Sequence, residues 1–471
     1  MLKFNWCTRT LAVALGLGWA SSAYAQPAAA PTTPNAVFAS ADQGDLAPID
    51  YAPPMTASTD GIPECQPTYQ VGYTQTCDCP KCRREARRQA KACQDGGCQL
   101  TSGWFESIEN WEGFDLGESL FGEDSAYDIG GWLQSGYHSR PSSGPPSAGF
   151  GTFNNHKARW GAHQAWLFAE KSVDGSEGLD FGYRADFMYG LDAADTQAFG
   201  GRPGSWDFQN GFDHGQFGFA IPQLYGEVAY GDLSVKFGHF FTLVGYEVVT
   251  APDNFFYSHS FTMYNSEPFT HSGALATYQA TDNVTIYGGW TAGWDTGFDS
   301  FHDGDSTHGS NFLGGISYGL TDDVTMTYIT TIGDFGVRGE GYAHSIVLDV
   351  ALTDDLQYVF QSDFVDTNTP GDIQVGVNQY LFYTINDYLK AGVRGEWWQS
   401  GAVTGANGGF GTASFNEVTM GLNIKAKANF VLRPEVRHQW SPYVSQNGAA
   451  VPGLTPFFGR TIFGIDAIMT F

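Results

Sequence analysis

Charge is scarce in this 471-residue chain: Asp, Glu, Lys and Arg make up only 15% of it, no more than the aromatic residues. A surface facing water throughout would carry about a quarter charged residues, and disordered chains are poor in aromatics. Part of this surface is therefore covered by something other than water. Cations are scarcer still, with 23 Lys and Arg against 50 Asp and Glu and a formal charge of −27. That balance excludes nucleic acid as a partner, because a phosphate-binding face needs a surplus of Lys and Arg. After the first 25 residues no stretch approaches the ~20 continuous apolar residues of a membrane helix. Membrane strands carry only alternate apolar residues and escape that exclusion. Compact catalytic motifs are missing too: the eleven histidines, among them His138, His156, His163, His259, His271, His344 and His438, are scattered, with no HExxH or local Ser-His-Asp pattern. No enzymatic activity and no cofactor is expected.

The amino terminus reads as an export signal. Lys3 and Arg9 form a basic start, Leu11 to Trp19 an apolar run, and Ala23-Tyr24-Ala25 a small-x-small cleavage site over 1–25. Residues 26–64 are a Pro-, Ala- and Thr-rich leader without periodicity. A basic segment, 65–100, holds Cys65, Cys77, Cys79, Cys82, Cys93 and Cys98. In an exported protein these six predict disulfides; zinc held by Cys77, Cys79, Cys82 and Cys93 is the alternative, and no other metal site is expected. Arg83, Arg84, Arg87, Arg88 and Lys91 within it could meet an anionic cell-wall polymer or lipid headgroups. An acidic, aromatic linker fills 101–125.

From residue 126 onward segments of about ten residues alternate apolar and polar positions, the mark of strands with two unlike faces. In 283-NVTIYGGWTAGWD-295 one face holds Val284, Ile286, Trp290, Ala292 and Trp294. The turns Thr321-Asp322-Asp323 and Thr353-Asp354-Asp355 repeat one grammar, because Asp tolerates tight reversals. About sixteen strands are predicted, at 126–138, 161–171, 179–189, 219–229, 233–246, 271–280, 284–295, 311–320, 324–334, 342–352, 356–365, 373–384, 388–398, 414–425, 429–440 and 460–471. Every second junction is short; the others, such as 190–218, 247–270 and 399–413, are longer. This is the plan of an all-β transmembrane antiparallel barrel. Closure would pair 460–471 with 126–138 and turn Phe463, Ile465, Ala467, Met469 and Phe471 towards outer-membrane lipid. A soluble sandwich or propeller alternates similarly, but its buried face would not carry charge.

Charges do fall on the face opposite the apolar one. Arg184, Asp186, Asp349, Asp363, Lys390, Arg394, Glu396, Glu417, Arg433, Glu435 and Arg437 are expected inside the barrel, where they would line a pore. Lys390, Arg394, Arg433 and Arg437 gather on one wall, matched only in part by acids, and such a wall favours a water-filled lumen. The third long junction, 247–273, combines Glu247, Asp253 and Glu267 with Phe255, Phe256, Tyr257, Phe261 and Tyr264. A loop this aromatic is expected to fold inward as a constriction, or otherwise to pack over the rim or a neighbouring subunit.

The stretches 130-GGWLQSGYHS-139 and 245-GYEVVTAPDNFFYSHSFTMYNSEPFTHSG-273 resemble outer-membrane β-barrel porins of the OmpL-like type, as found in planctomycetes, over 126–471. The resemblance implies a passive diffusion channel for small hydrophilic solutes or ions, without catalytic residues. A homotrimer and recognition of Phe471 by the barrel assembly machinery are further expectations. The alternative is a non-conducting barrel that anchors the outer membrane to the cell wall through its cysteine-rich periplasmic segment.

Overall fold

The structure, a computed structural model, describes residues 114–122, 125–142, 152–156, 158–298, 308–369, 372–404, 410–427, 429–441, 444–446, 449–450 and 459–471. The export signal, the leader, all six cysteines and most of the linker lie outside the described residues. The strands are β1 (Tyr127–His138), β2 (Trp160–Lys171), β3 (Asp180–Gly190), β4 (Gly218–Tyr230), β5 (Leu233–Phe241), β6 (Thr270–Thr281), β7 (Val284–Thr291), β8 (Ser310–Thr321) and β9 (Val324–Asp334). They continue with β10 (Glu340–Ala351), β11 (Leu356–Thr367), β12 (Ile373–Asn386), β13 (Leu389–Thr404), β14 (Phe410–Lys427), β15 (Phe430–Trp440), the rim pieces β16 (Val444–Gln446) and β17 (Ala449–Ala450), and β18 (Arg460–Thr470). Each wall strand pairs antiparallel with its neighbours in chain order. β18 pairs with both β15 and β1, the latter in a register running from Trp132 opposite Thr470 to His138 opposite Gly464. Sixteen strands, β1–β15 and β18, thus close into a barrel without a free edge.

Local chemistry sets the turns. The backbone N–H groups of Asn283, Asp323 and Asp355 donate to the hydroxyls of Thr281, Thr321 and Thr353, two residues back, at 3.3, 3.2 and 3.2 Å. Tyr388 donates likewise to Asn386 Oδ1. A side chain that accepts from residue i+2 stabilises the reversal before the ladder forms. Above the turns the strands alternate. Tyr127, Leu133 and Tyr137 of β1 face outward and are exposed, as are Phe463 and Met469 of β18, while Trp132, Gln134, Asp466 and Ile468 are buried. Large apolar residues remain exposed on most of the other strands, the arrangement of a lipid-facing wall. Among the described residues no helix is long and apolar enough to cross a membrane.

Three expectations need correction. β5 stops at Phe241 rather than 246, because Gly245, with φ of +101°, turns the chain into the barrel. A Cβ there would stand 2.0 Å from Glu267 Oε2, so the turn also requires the absence of a side chain. β7 stops at Thr291: Ala292 and Trp294 leave the outward face, and Trp294 stacks on Phe335 with ring centres 4.5 Å apart. Between β13 and β14 the ladder continues to Thr404 opposite Phe410, so 399–413 is mostly tall hairpin and only 405–409 joins the strands. The connections at 335–339 and 368–372 are equally brief, and the long–short alternation is not strict.

The apolar core lies inside the barrel, between its wall and the connection 242–269. Phe256 joins Val347, Val359, Tyr380 and Phe382 in one cluster; Val249, Ala251, Met263, Tyr264 and Phe269 join Trp132, Trp166 and Ile468 in another. A short helix, α1 (Leu116–Phe121), precedes β1; α2 (Ala193–Thr196) follows β3; and α3 (Phe261–Ser266) lies within the inward connection.

Candidate functional site

The site is the interior wall of β11–β15 and β18 together with the connection 242–269 that fills it. Three consecutive aromatic residues sit against three inward glycines. A Cβ on Gly392 would lie 2.4 Å from the Phe255 ring, one on Gly421 3.2 Å from Phe256, and one on Gly464 3.0 Å from Tyr257. Cross-strand register puts these glycines in one row, Gly392 opposite Gly421, Gly421 opposite Glu435, and Glu435 opposite Gly464. Glu435 occupies the gap in that row and accepts from the backbone N–H groups of Tyr257 and Ser258 at 3.0 and 3.2 Å.

Charged side chains around this row hold the loop backbone. Arg394 donates to Glu247 Oε1 at 2.5 Å, to the Ser258 carbonyl at 2.7 Å and to Ser258 Oγ at 3.1 Å, and its Nε meets Glu417. Arg433 makes a two-pronged pair with Asp466 at 3.0 and 2.6 Å and donates to the carbonyls of Ala251 and Asn254 at 2.8 and 2.6 Å. Arg437 donates to the His259 carbonyl at 2.5 Å and to Gln439 Oε1 at 3.0 Å. Glu396 accepts from the N–H groups of Phe261 and Thr262 at 2.8 and 2.6 Å, satisfying free donors in the first turn of α3. Ser260 caps the same helix through Met263 N–H.

The predicted wall of unmatched cations is therefore corrected. Arg394, Arg433 and Arg437 are 0–2% exposed, and acids or loop carbonyls bind each of them. Buried ions need such partners, since the interior does not solvate them; one Nη of Arg437 is left without a hydrogen bond. The loop supplies the missing acceptors, among them carbonyls that sequence periodicity does not reveal. Lys390 lies on β13 opposite Asn423 and Thr384, one turn of the ladder from this cluster.

The remaining predicted residues divide into smaller groups. Glu267 is fully buried and accepts from Gln361 Nε2 at 2.6 Å; the same amide donates to Asp363 at 2.9 Å, and Ser345 donates to Asp363 at 2.6 Å. Burial pushes the Glu267 carboxyl above its ordinary range, and the neighbouring Asp363 adds to the shift. Burial acts on Glu247 in the same sense and is the largest influence, but Arg394, His259 and the Ser260 N–H together outweigh it and hold Glu247 below its ordinary value. Asp349 accepts from Gln357 at 2.8 Å. Arg184 pairs with Glu170 and Asp186, both at 2.8 Å, lies over the Phe168 ring, and faces a separate cavity on the β1–β7 side. Asp253 lines that cavity as well. Beyond the predicted set, Gln164 grips the loop at Val249 and Ala251, and Tyr264 donates to Asp195 of α2 at 2.7 Å. Among the described residues no group of three or more His, Cys, Asp or Glu is placed to hold a metal.

Residues 126–471 match the family described as "Putative beta-barrel porin-2, OmpL-like". No curated protein matches the chain. Solved structures with a similar fold include OmpT of Vibrio cholerae in its trimer form (11% identity, TM-score 0.44, covering 73% of this chain and 99% of that one). The anion-selective porin from Comamonas acidovorans (11%, 0.48, 73% and 99%) and the outer membrane channel DcaP of Acinetobacter baumannii (11%, 0.48, 76% and 99%) are others.

Proposed function

The chain belongs to the OmpL-like β-barrel porin-2 family of outer-membrane channels, which are not enzymes, and from that premise we propose that it is a passive diffusion channel for small hydrophilic solutes and ions, narrowed by the connection 242–269. One observation carries the narrowing: Arg394 and Glu396 of β13 and Arg433, Glu435 and Arg437 of β15 all bond to that connection inside the barrel. Binding at this many points makes it a fixed partition rather than a mobile flap. In this reading the short turns lie on the periplasmic side, together with the segment that precedes α1.

Single-channel recording of the purified protein in a planar bilayer tests both parts. The channel predicts stepwise, ohmic currents, and deletion of 250–268 raises the step size. An unchanged step would remove the constriction while leaving the channel. A second reading, a non-conducting anchor between outer membrane and cell wall, draws on the chain entering β1. Phe114 and Asn429, the latter in the β14–β15 turn, exchange hydrogen bonds at 3.0 and 2.9 Å and tie the incoming segment to the short-turn rim. A barrel that shifts on heated gels yet stays electrically silent would favour the anchor.

A further inference from the structure

Inside the barrel lies a cavity of about 340 Å³, lined by β1–β7, by the turn at Thr250–Asp253, by the segment leading into α1, and by Asn429, Thr470 and Phe471. Its position separates two sets of charges that the sequence presents together. Arg394, Arg433 and Arg437 do not line it; they are buried beneath the inward connection and matched there. The charges at this cavity are a different set.

Asp115, Asp128, Glu227 and Asp253 line the cavity, against the cations Arg184 and Lys236. Arg184 is already held between Glu170 and Asp186. Lys236 stands opposite Glu227 in the β4–β5 register and lies 4.9 Å from the centre of the Tyr225 ring. The acids therefore outnumber the cations at the walls, and fixed charge in a low-dielectric cleft concentrates the opposite ion.

We propose that this cavity is the selectivity-determining part of the passage and that it makes the channel prefer small cations, with Asp115, Asp128 and Asp253 as the determining residues. The proposal rests on the channel reading above and adds the sign of the charge that crosses. A local potential of one kT raises the cation and lowers the anion concentration by about 2.7-fold each, so the permeability ratio is about sevenfold or more. The Debye length falls from about 10 Å at 0.1 M salt to about 3 Å at 1 M, so the preference shrinks as salt rises.

The test is the zero-current potential of the full-length protein in a planar bilayer under a tenfold KCl gradient. The expected result is a potassium-to-chloride permeability ratio of about seven for a gradient of about 0.01 to 0.1 M, declining towards one for a gradient of about 0.3 to 3 M. The D115N/D128N/D253N variant, checked for barrel formation by heat-modifiable migration, should lose most of that ratio while still conducting. A conducting wild type with a ratio of one or below overturns the cation preference and leaves the channel standing. A conducting variant that keeps the wild-type ratio overturns the assignment to these three residues. A wild type that stays silent defeats the channel reading, and the selectivity falls with it.

Discussion

Replacing Arg394 with Met keeps much of the volume and removes the charge. Glu247 then stays buried without its cation, Glu417 keeps Arg437 as its only cation, at 3.6 Å, and the Ser258 carbonyl loses its donor. Breaking a buried pair by deleting one partner costs roughly 3–5 kcal/mol. The β13 ladder uses only backbone groups and is not touched, so the cost falls on docking of the connection rather than on the barrel. At about 1.4 kcal/mol per decade, the undocked population rises by two to three and a half decades. Hydrogen exchange reads this directly. The amides of Tyr257, Ser258, Phe261 and Thr262 are bound by Glu435 and Glu396, and their protection should fall about a hundredfold or more. Amides of β13 and β14 should keep theirs. Adding Glu247→Gln should restore part of the loss, because one stranded carboxylate is then neutral. Unchanged exchange at the four amides would refute the docking role of Arg394. An equal loss across the β13 and β14 amides would show that the wall itself depends on it.

Other perturbations probe separate contacts. Gly392→Val places a side chain where Phe255 lies 2.4 Å from the Cβ position, so it should loosen the connection by about 1–3 kcal/mol and raise current noise in single-channel records. Asp195 in α2 is pushed up to about 7, chiefly by burial, against an ordinary value of 3.8. Because the folded state holds this proton more tightly, the stabilisation is full below pH 4 and is lost as pH rises towards 7. Proteolysis of 191–217 should therefore be faster at pH 8 than at pH 5, and Asp195→Asn should reduce that difference, the remainder coming from Asp207, which burial also pushes up to about 7. Removing Phe471 withdraws its two backbone bonds with Gly131, each 2.9 Å, and should reduce the yield of heat-modifiable barrel more than the conductance of the barrels that form.

The wall was legible in the sequence because its signal is local. Period-two alternation fixes which residues face lipid, and Thr-Asp-Asp or Thr-Asp-Asn turns mark the reversals, so most strand ends lie within a residue or two of their predicted places. The ends of β5 and β7 were misplaced for a common cause. After Phe241 and Thr291 the chain keeps its apolar residues but turns them into the lumen, towards partners such as Phe335 and Tyr380 that come from other connections and strands. Composition cannot distinguish an apolar residue facing lipid from one facing a loop inside the barrel. Gly392 shares the parity of Arg394 and Gly421 that of Glu417, so both face inward, yet their purpose shows only once Phe255 and Phe256 are seen packed against them.

The charged residues carry the same lesson further. An inward charge has three possible fates: it faces water, pairs with a neighbour on the wall, or binds a loop. Alternation fixes its direction and leaves its fate open, because the deciding partner is remote. Arg394 meets Glu247 across 147 residues of chain, and Arg433 meets the Ala251 carbonyl across 182. Both cations are spent on the loop, so neither presents free charge to a passing ion. Counting the inward charges of β13–β15 alone would assign this barrel a basic wall. Counting those around the open cavity assigns it an acidic one. On the channel reading proposed above, only the second set lies where an ion can respond to it, and the folding of the connection 242–269, rather than strand composition, would set the sign of the field in the lumen.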